Sequence, residues 1–207
     1  MKNKIIPSLI AKSQKELNKR FKKVKDISKN FQLDIMDGKF VKNKSLNFNF
    51  KIPKGKNKYE AHLMIKNPEK WISKNAKKVN IIIFHVESTK NPDKLISFIK
   101  SKRKKVGVAI NPKTPLSKIT RFLSRVELVL IMTVNPGKYG SKFLPETLKK
   151  VKQLRKLKPK LSIEVDGGIN NKTISRTKVA GANRFVVGSY LQESKDVGKV
   201  YKKLHKN

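Results

Sequence analysis

Short apolar runs alternate along this chain with longer, lysine-rich amphipathic stretches. Eight of the runs read as strands: Lys4–Pro7, Phe31–Met36, Tyr59–Met64, Val79–His85, Lys105–Ile110, Leu128–Thr133, Leu161–Val165 and Arg184–Val187. Most are short and almost continuously apolar, the pattern of strands covered on both faces of a parallel sheet. Helices are expected between them. Lys12–Ser28 places Leu17, Phe21, Val24 and Ile27 at steps of three or four, one face of a helix. Pro68–Lys74, Pro92–Ser101, Pro115–Ser124, Pro145–Leu157, Asn171–Ala180 and Asp196–Leu204 follow. Four of these open on proline, which suits a first turn where its missing N–H has no intrahelical acceptor anyway.

Strands alternating with helices imply a parallel sheet joined by right-handed crossovers. Eight units favour closure, so the expected fold is a single (β/α)8 TIM barrel spanning residues 1–207. One unit breaks the pattern. Val41–Lys58 should carry the second helix, yet Ser45–Pro53 alternates like a strand or an irregular loop. The second helix is expected to be short, distorted or absent.

Composition changes this picture little. Lysine and arginine total 51 against 14 acidic residues, a formal net charge of +37. Arginine supplies only seven of the 51, and the lysines run from Lys2 to Lys206 without forming an arm or stripe. A solvated, biased surface accounts for them better than a dedicated nucleic-acid site, since arginine is the residue that reads guanine and grips phosphate in bidentate fashion. The same field would gather small anions near a binding site. Cysteine is absent, which excludes disulfides and thiolate metal sites. No apolar run approaches the roughly 20 residues a membrane span needs, and the start of the chain is broken at Pro7, so a cytoplasmic location is expected.

In a parallel barrel, chemistry sits at the carboxyl ends of the strands. Those ends carry Ser8, Gln32 and Asp34 with Met36, His62 with Met64, His85 and Glu87, Asn111, Met132 and Asn135, Asp166, and finally Gly188 and Ser189. Gln32 and Asp34 are two apart and share one face of their strand. Asp34, His62 and Asp166 are carboxylate and imidazole groups of the kind that hold Zn²⁺, Mn²⁺ or Fe²⁺. Gly167 and Gly168 follow the seventh strand and Gly188 and Ser189 the eighth, where exposed backbone N–H groups can cradle phosphate. His85 and Glu87 are read as supporting groups behind the site, Trp71 and Phe98 as core, and His205 as solvated.

Several segments, in order along nearly the whole chain, resemble the ribulose-phosphate 3-epimerase family: Ile6–Leu9, Leu33–Val41, Ala61–Pro68, Phe84–Glu87, Gly107–Pro115, Met132–Gly137, Ile163–Ile169 and Val187–Ser189. The resemblance implies an isomerase of carbohydrate metabolism that interconverts D-ribulose 5-phosphate and D-xylulose 5-phosphate. It implies Asp34 and Asp166 as the acid/base pair, and one divalent ion (Zn²⁺, Fe²⁺ or Mn²⁺) on Asp34, His62 and Asp166. It further implies that Ser8 and His62 contact the substrate, that Met36, Met64 and Met132 floor the pocket, that Gly137, Lys138, Tyr139 and Gly140 close over it, and that Gly167, Gly168, Gly188 and Ser189 receive the phosphate. A homo-oligomer acting on a small sugar phosphate is the expected assembly.

Two departures stand out. Gln32 occupies a position where the family carries a metal-binding histidine, and Lys138 and Tyr139 make the sixth loop less glycine-rich. A glutamine amide oxygen is a poorer zinc ligand than imidazole, so weaker metal binding, a harder ion or three protein ligands are expected. An epimerase of a six-carbon ketose phosphate, or a non-catalytic barrel that binds polyanions, would share much of this pattern.

Overall fold

The computed structural model describes residues 3–53, 55–137 and 140–206. Eight parallel strands close on themselves: β1 (Lys4–Leu9), β2 (Asn30–Asp37), β4 (Lys58–Met64), β5 (Ile81–His85), β6 (Lys105–Ile110), β7 (Leu128–Met132), β8 (Ser162–Asp166) and β9 (Arg184–Val187). Each pairs with its sequence neighbours, and β1 joins β2 on one side and β9 on the other. The (β/α)8 expectation is met, with every strand boundary within two residues of the sequence reading.

The helices are more uneven. The amphipathic segment after β1 forms α1 (Gln14–Val24), capped by Ser13, whose side chain accepts from the Glu16 N–H. After β4 comes α2 (Glu69–Asn75), after β5 α3 (Pro92–Ser101), after β7 α4 (Leu148–Leu157), after β8 α5 (Ile174–Val179), and after β9 α6 (Ser189–Gln192) and α7 (Val197–Lys206). Two expectations need correction. Pro115–Ser124 is not an α-helix but two 3₁₀ turns, Leu116–Lys118 and Thr120–Phe122. Only Ile119, Phe122 and Leu123 are buried there, too narrow a face to hold regular turns against the barrel. Asn171–Ala180 is helical only over α5, because Asn170 and Thr173 tie up the preceding backbone in a side-chain-bonded turn.

No α-helix joins β2 to β4 among the described residues. The segment instead contributes β3 (Lys44–Ser45), antiparallel to the tip of β2 through Met36–Ser45 and Asp37–Lys44. Ser45 Oγ accepts from the Ala11 N–H, and Leu46 N–H donates to the Ala11 carbonyl. The segment is thus stitched to the ends of both β1 and β2.

Most of the core lies between the strands and the outer layer, around Leu33, Ile35, Leu63, Phe84, Val108, Ile131, Val165 and Phe185. The barrel interior is divided. Ile83, Ala109, Leu128, Leu130, Met132 and Val134 form an apolar cluster from β5–β7 and the loop after it. The alternate, inward positions of β2, β4, β8 and β9 instead carry Gln32, Asp34, Glu60, His62, Glu164, Asp166 and Arg184, all but Asp166 buried.

Toward the amino ends of the strands, Arg184 bridges two buried carboxylates. Its Nε donates to Glu164 at 2.6 Å and an Nη to Glu60. Burial opposes the guanidinium charge, but Glu164 and Glu60 outweigh it and hold its pKa above the usual value. The Glu60 carboxyl is pushed well above its ordinary range, by burial first and by Glu164 second. Such an acid stabilises the fold at low pH and loses that contribution as pH rises through its raised folded pKa. Arg184→Leu leaves the two carboxylates without their cation. It should lower unfolding free energy by about 3–5 kcal/mol at neutral pH. Urea denaturation should show that deficit shrinking as the pH falls and Glu60 protonates.

Candidate active site

At the carboxyl ends of the strands, register sets the site. Asp34 on β2 lies directly beside His62 on β4, and Met36 beside Met64. Asp166 closes β8 next to Met132 on β7. The inward alternation of these strands aims all six side chains at the barrel axis.

Asp34, His62 and Asp166 each place a ligand atom within 4.8 Å of the others. His62 Nδ1 is 3.4 Å from Asp34 Oδ1 and 3.2 Å from Asp166 Oδ2. Gln32 enters from below. Its Nε2 donates to Asp34 Oδ1 at 2.8 Å and to Asp166 Oδ2 at 2.7 Å, and lies 3.4 Å from His62 Nδ1. The amide nitrogen therefore sits among all three groups and serves both carboxylates. Its other terminus, Oε1, is buried without a hydrogen-bond partner among the described residues.

The charges follow from this packing. Burial would lower the His62 pKa, but hydrogen bonds to Asp166 and Asp34 outweigh it and raise it to about 10. Burial raises the Asp166 pKa, opposed by His62 and reinforced by the nearby Asp34 charge. Behind His62, its Nε2 meets His85 Nε2 at 2.8 Å. Burial, first of all, pushes the His85 pKa down to about 4. Glu87 beyond it is held at about 2: burial opposes this, but His85, Thr114 and the Asn111 N–H prevail.

A pocket opens above. Ser8, Asp34, Met36, Met64, Met132, Gly137, Gly140, Asp166, Gly167, Gly168, Gly188 and Ser189 all line it. His62 and Gln32 do not; both are fully buried beneath. Lys138 and Tyr139 lie outside the described residues. Ile10, Val134, Pro136, Ser141, Ile169 and Val186 also face the pocket, though the sequence does not single them out. Period-two spacing would have found two of them: Ile10 follows Ser8 and Val134 follows Met132 at the same step. Trp71 and Phe98 pack against the core, and His205 is exposed, edge-on to Tyr201.

Two glycines are required by contact. Gly137 (φ +101°) would place a Cβ 2.6 Å from Val41 Cβ. Gly167 (φ +114°) would place one 2.3 Å from Val134 Cγ2. The turn at Gly167 and Gly168 is held by hydroxyls: Thr133 donates to the Gly167 carbonyl at 2.6 Å and Thr173 to the Gly168 carbonyl at 2.9 Å.

The model of the ribulose-phosphate 3 epimerase family matches residues 4–192. The ribulose-phosphate 3-epimerase of Schizosaccharomyces pombe is 37% identical over 194 residues, covering 90% of this chain and 85% of its own. That of Bacillus subtilis is 34% identical over 206 residues, covering 93% and 94%. The cytoplasmic isoform from Oryza sativa is 40% identical over 183 residues, covering 84% and 80%. Among solved structures, a 3-hexulose-6-phosphate synthase superposes with a TM-score of 0.67 over 100% of this chain and 99% of its own, at 15% identity. KGPDC from Streptococcus mutans reaches 0.70 over 100% and 97%, at 14% identity. Both likenesses concern the fold. No helix among the described residues is long and apolar enough to cross a membrane.

Two of the pocket glycines, Gly167 and Gly140, should respond differently to alanine. Gly167→Ala combines unfavourable φ with overlap against Val134 and should cost at least about 1–3 kcal/mol. Gly140→Ala (φ +70°) meets nothing within 4 Å among the described residues and should cost only its backbone strain, less than Gly167→Ala. Chemical denaturation of the two variants measures the difference.

Proposed function

This chain belongs to the ribulose-phosphate 3-epimerase family, and on that footing we propose that it interconverts D-ribulose 5-phosphate and D-xylulose 5-phosphate by two-carboxylate proton transfer. The observation that carries the reading is the convergence of Asp34, His62 and Asp166 beneath a pocket that both aspartates line.

The carbon to be inverted adjoins a ketone, so its proton can leave if the resulting enediolate is stabilised. Asp34 and Asp166 reach the pocket from β2 and β8, so one can take a proton while the other returns one on the opposite face. The raised Asp166 pKa favours unequal protonation of the two, which such an exchange needs at its start. Met36, Met64 and Met132 give the pocket an apolar floor that limits water around the reacting carbon. Ser8 orients the sugar, and Gly167, Gly168, Gly188 and Ser189 take the phosphate at the turns after β8 and β9. The lysine-rich surface raises the local concentration of such an anion.

The residues present fit a divalent metal. Two carboxylates and an imidazole form a donor set suited to Zn²⁺, Mn²⁺ or Fe²⁺, and Gln32 Oε1 is a buried oxygen lacking a partner among the described residues. Asp34, His62 and Asp166 would hold it, with Gln32 as fourth ligand once its amide turns over. When bound, such an ion supplies Lewis-acid stabilisation to the enediolate oxygens.

A coupled assay on D-ribulose 5-phosphate, with Zn²⁺, Mn²⁺ and Fe²⁺ added separately, tests the reading. Asp34→Asn and Asp166→Asn should each lower kcat by about 10²–10⁴-fold. A wild-type rate in Asp34→Asn would remove the proton-transfer assignment. Gln32→His replaces the competing amide with a stronger ligand and should tighten Mn²⁺ binding measured by electron paramagnetic resonance. Unchanged affinity would show that Gln32 neither ligates nor obstructs the ion.

A further inference from the structure

We propose that Glu87 and His85 are positioning residues that hold the ring plane of His62 by accepting from its Nε2–H, leaving its Nδ1 turned toward Asp34 and Asp166. The inference rests on the active-site reading above for its purpose, but on hydrogen-bond geometry for its content.

The contact chain runs in one direction. Lys150 donates to the carbonyls of Asn111, Pro112 and Thr114 and so braces the turn after β6. That turn presents the Asn111 N–H, at 2.9 Å, and the Thr114 hydroxyl to Glu87 Oε1. One carboxylate oxygen is thereby occupied. The other, Oε2, lies 3.3 Å from His85 Nδ1. That contact is long and poorly aligned, but Nδ1 has no better-aligned partner among the described residues. At the far side of the ring, His85 Nε2 meets His62 Nε2 at 2.8 Å. Phe40 packs on the His85 ring with centroids 4.9 Å apart, and the two imidazoles lie 22° from parallel.

A neutral imidazole has one donor and one acceptor. If His85 carries its hydrogen on Nδ1, it donates to Glu87 and its Nε2 lone pair accepts from His62 Nε2–H. Both contacts are then satisfied. The other tautomer sets a lone pair against a carboxylate and, with His62 unchanged, N–H against N–H. Glu87 therefore selects the tautomer of His85, and the His85 Nε2 lone pair then holds the His62 Nε2–H, whether His62 is a cation or a neutral ring ligating through Nδ1. His62 Nδ1 points at the carboxylate pair in every case, and a ligating histidine held by such an outer partner is oriented and more basic. The cluster sits on adjacent strands: β4 and β5 pair His62 with Ile83, which puts His85 one pleat further along on the same face.

The chain contains three histidines, His62, His85 and His205, so a long-range ¹H–¹⁵N spectrum of the full-length protein resolves the question. Spectra at neutral pH, without metal and with Zn²⁺, should show His85 protonated at Nδ1 and bare at Nε2. Glu87→Leu should shift His85 toward the Nε2–H form, alter the His62 signals and weaken Mn²⁺ binding by about 10–100-fold. Glu87→Gln, which keeps volume and an acceptor oxygen, should restore part of both and serves alone if Glu87→Leu does not fold. A wild-type His85 protonated at Nε2 would overturn the proposal. So would ring signals and Mn²⁺ affinity unchanged in the variants. The spectra need no substrate. An inert wild type with His85 protonated at Nδ1 would count against the epimerase reading and leave this relay standing; an active enzyme with the opposite tautomer would do the reverse.

Discussion

Two carboxylates buried a few ångström apart repel each other unless something donates protons or positive charge between them. Asp34 and Asp166 meet that condition here through His62 Nδ1 and the Gln32 amide. Everything else about the site is arranged to keep these groups in register. The β2–β4 pairing sets Asp34 against His62, the end of β8 supplies Asp166, and Gln32 rises from one pleat below. The amide serves as a neutral donor that holds the cluster together, and by the same position it competes with any ion that would draw on those oxygens.

The barrel holds a second charged centre, and the contrast is instructive. Around Arg184, the cation is permanent and fastened to Glu164 and Glu60, away from the pocket that carries the chemistry. That group cannot release its proton, and its contribution is to the fold. Around Asp34 and Asp166, the compensating groups are an imidazole and an amide, both able to change their hydrogen-bonding state. One barrel thus keeps a fixed charge network and an adaptable one on the same polar side of its interior. The other side, along β5–β7, is packed with Ile83, Ala109, Leu130 and Met132.

Much of this was legible from the residues. Strands covered on both faces appear as apolar runs, and their order around a closed sheet tells which side chains share a rim. Asp34, His62 and Asp166 could therefore be brought together on paper. The helices were less legible because lysine-rich segments satisfy a helical period without burying enough to enforce it, as Leu116–Phe122 shows. The orientation of Gln32 could not be read, since an amide offers a donor and an acceptor equally and only the neighbouring carboxylates decide between them. The His62–His85 contact depends on the β4–β5 register, which no local pattern specifies.

The stitching of Lys44–Leu46 to β1 and β2 has a wider consequence. That part of the rim is fastened by main-chain pairing, by Ser45 Oγ and by the buried Leu46 side chain. Peptide groups are the same whichever residue carries them. A stretch anchored in this way keeps its place with lysine and asparagine at its remaining positions, while an amphipathic helix there would need a full apolar face.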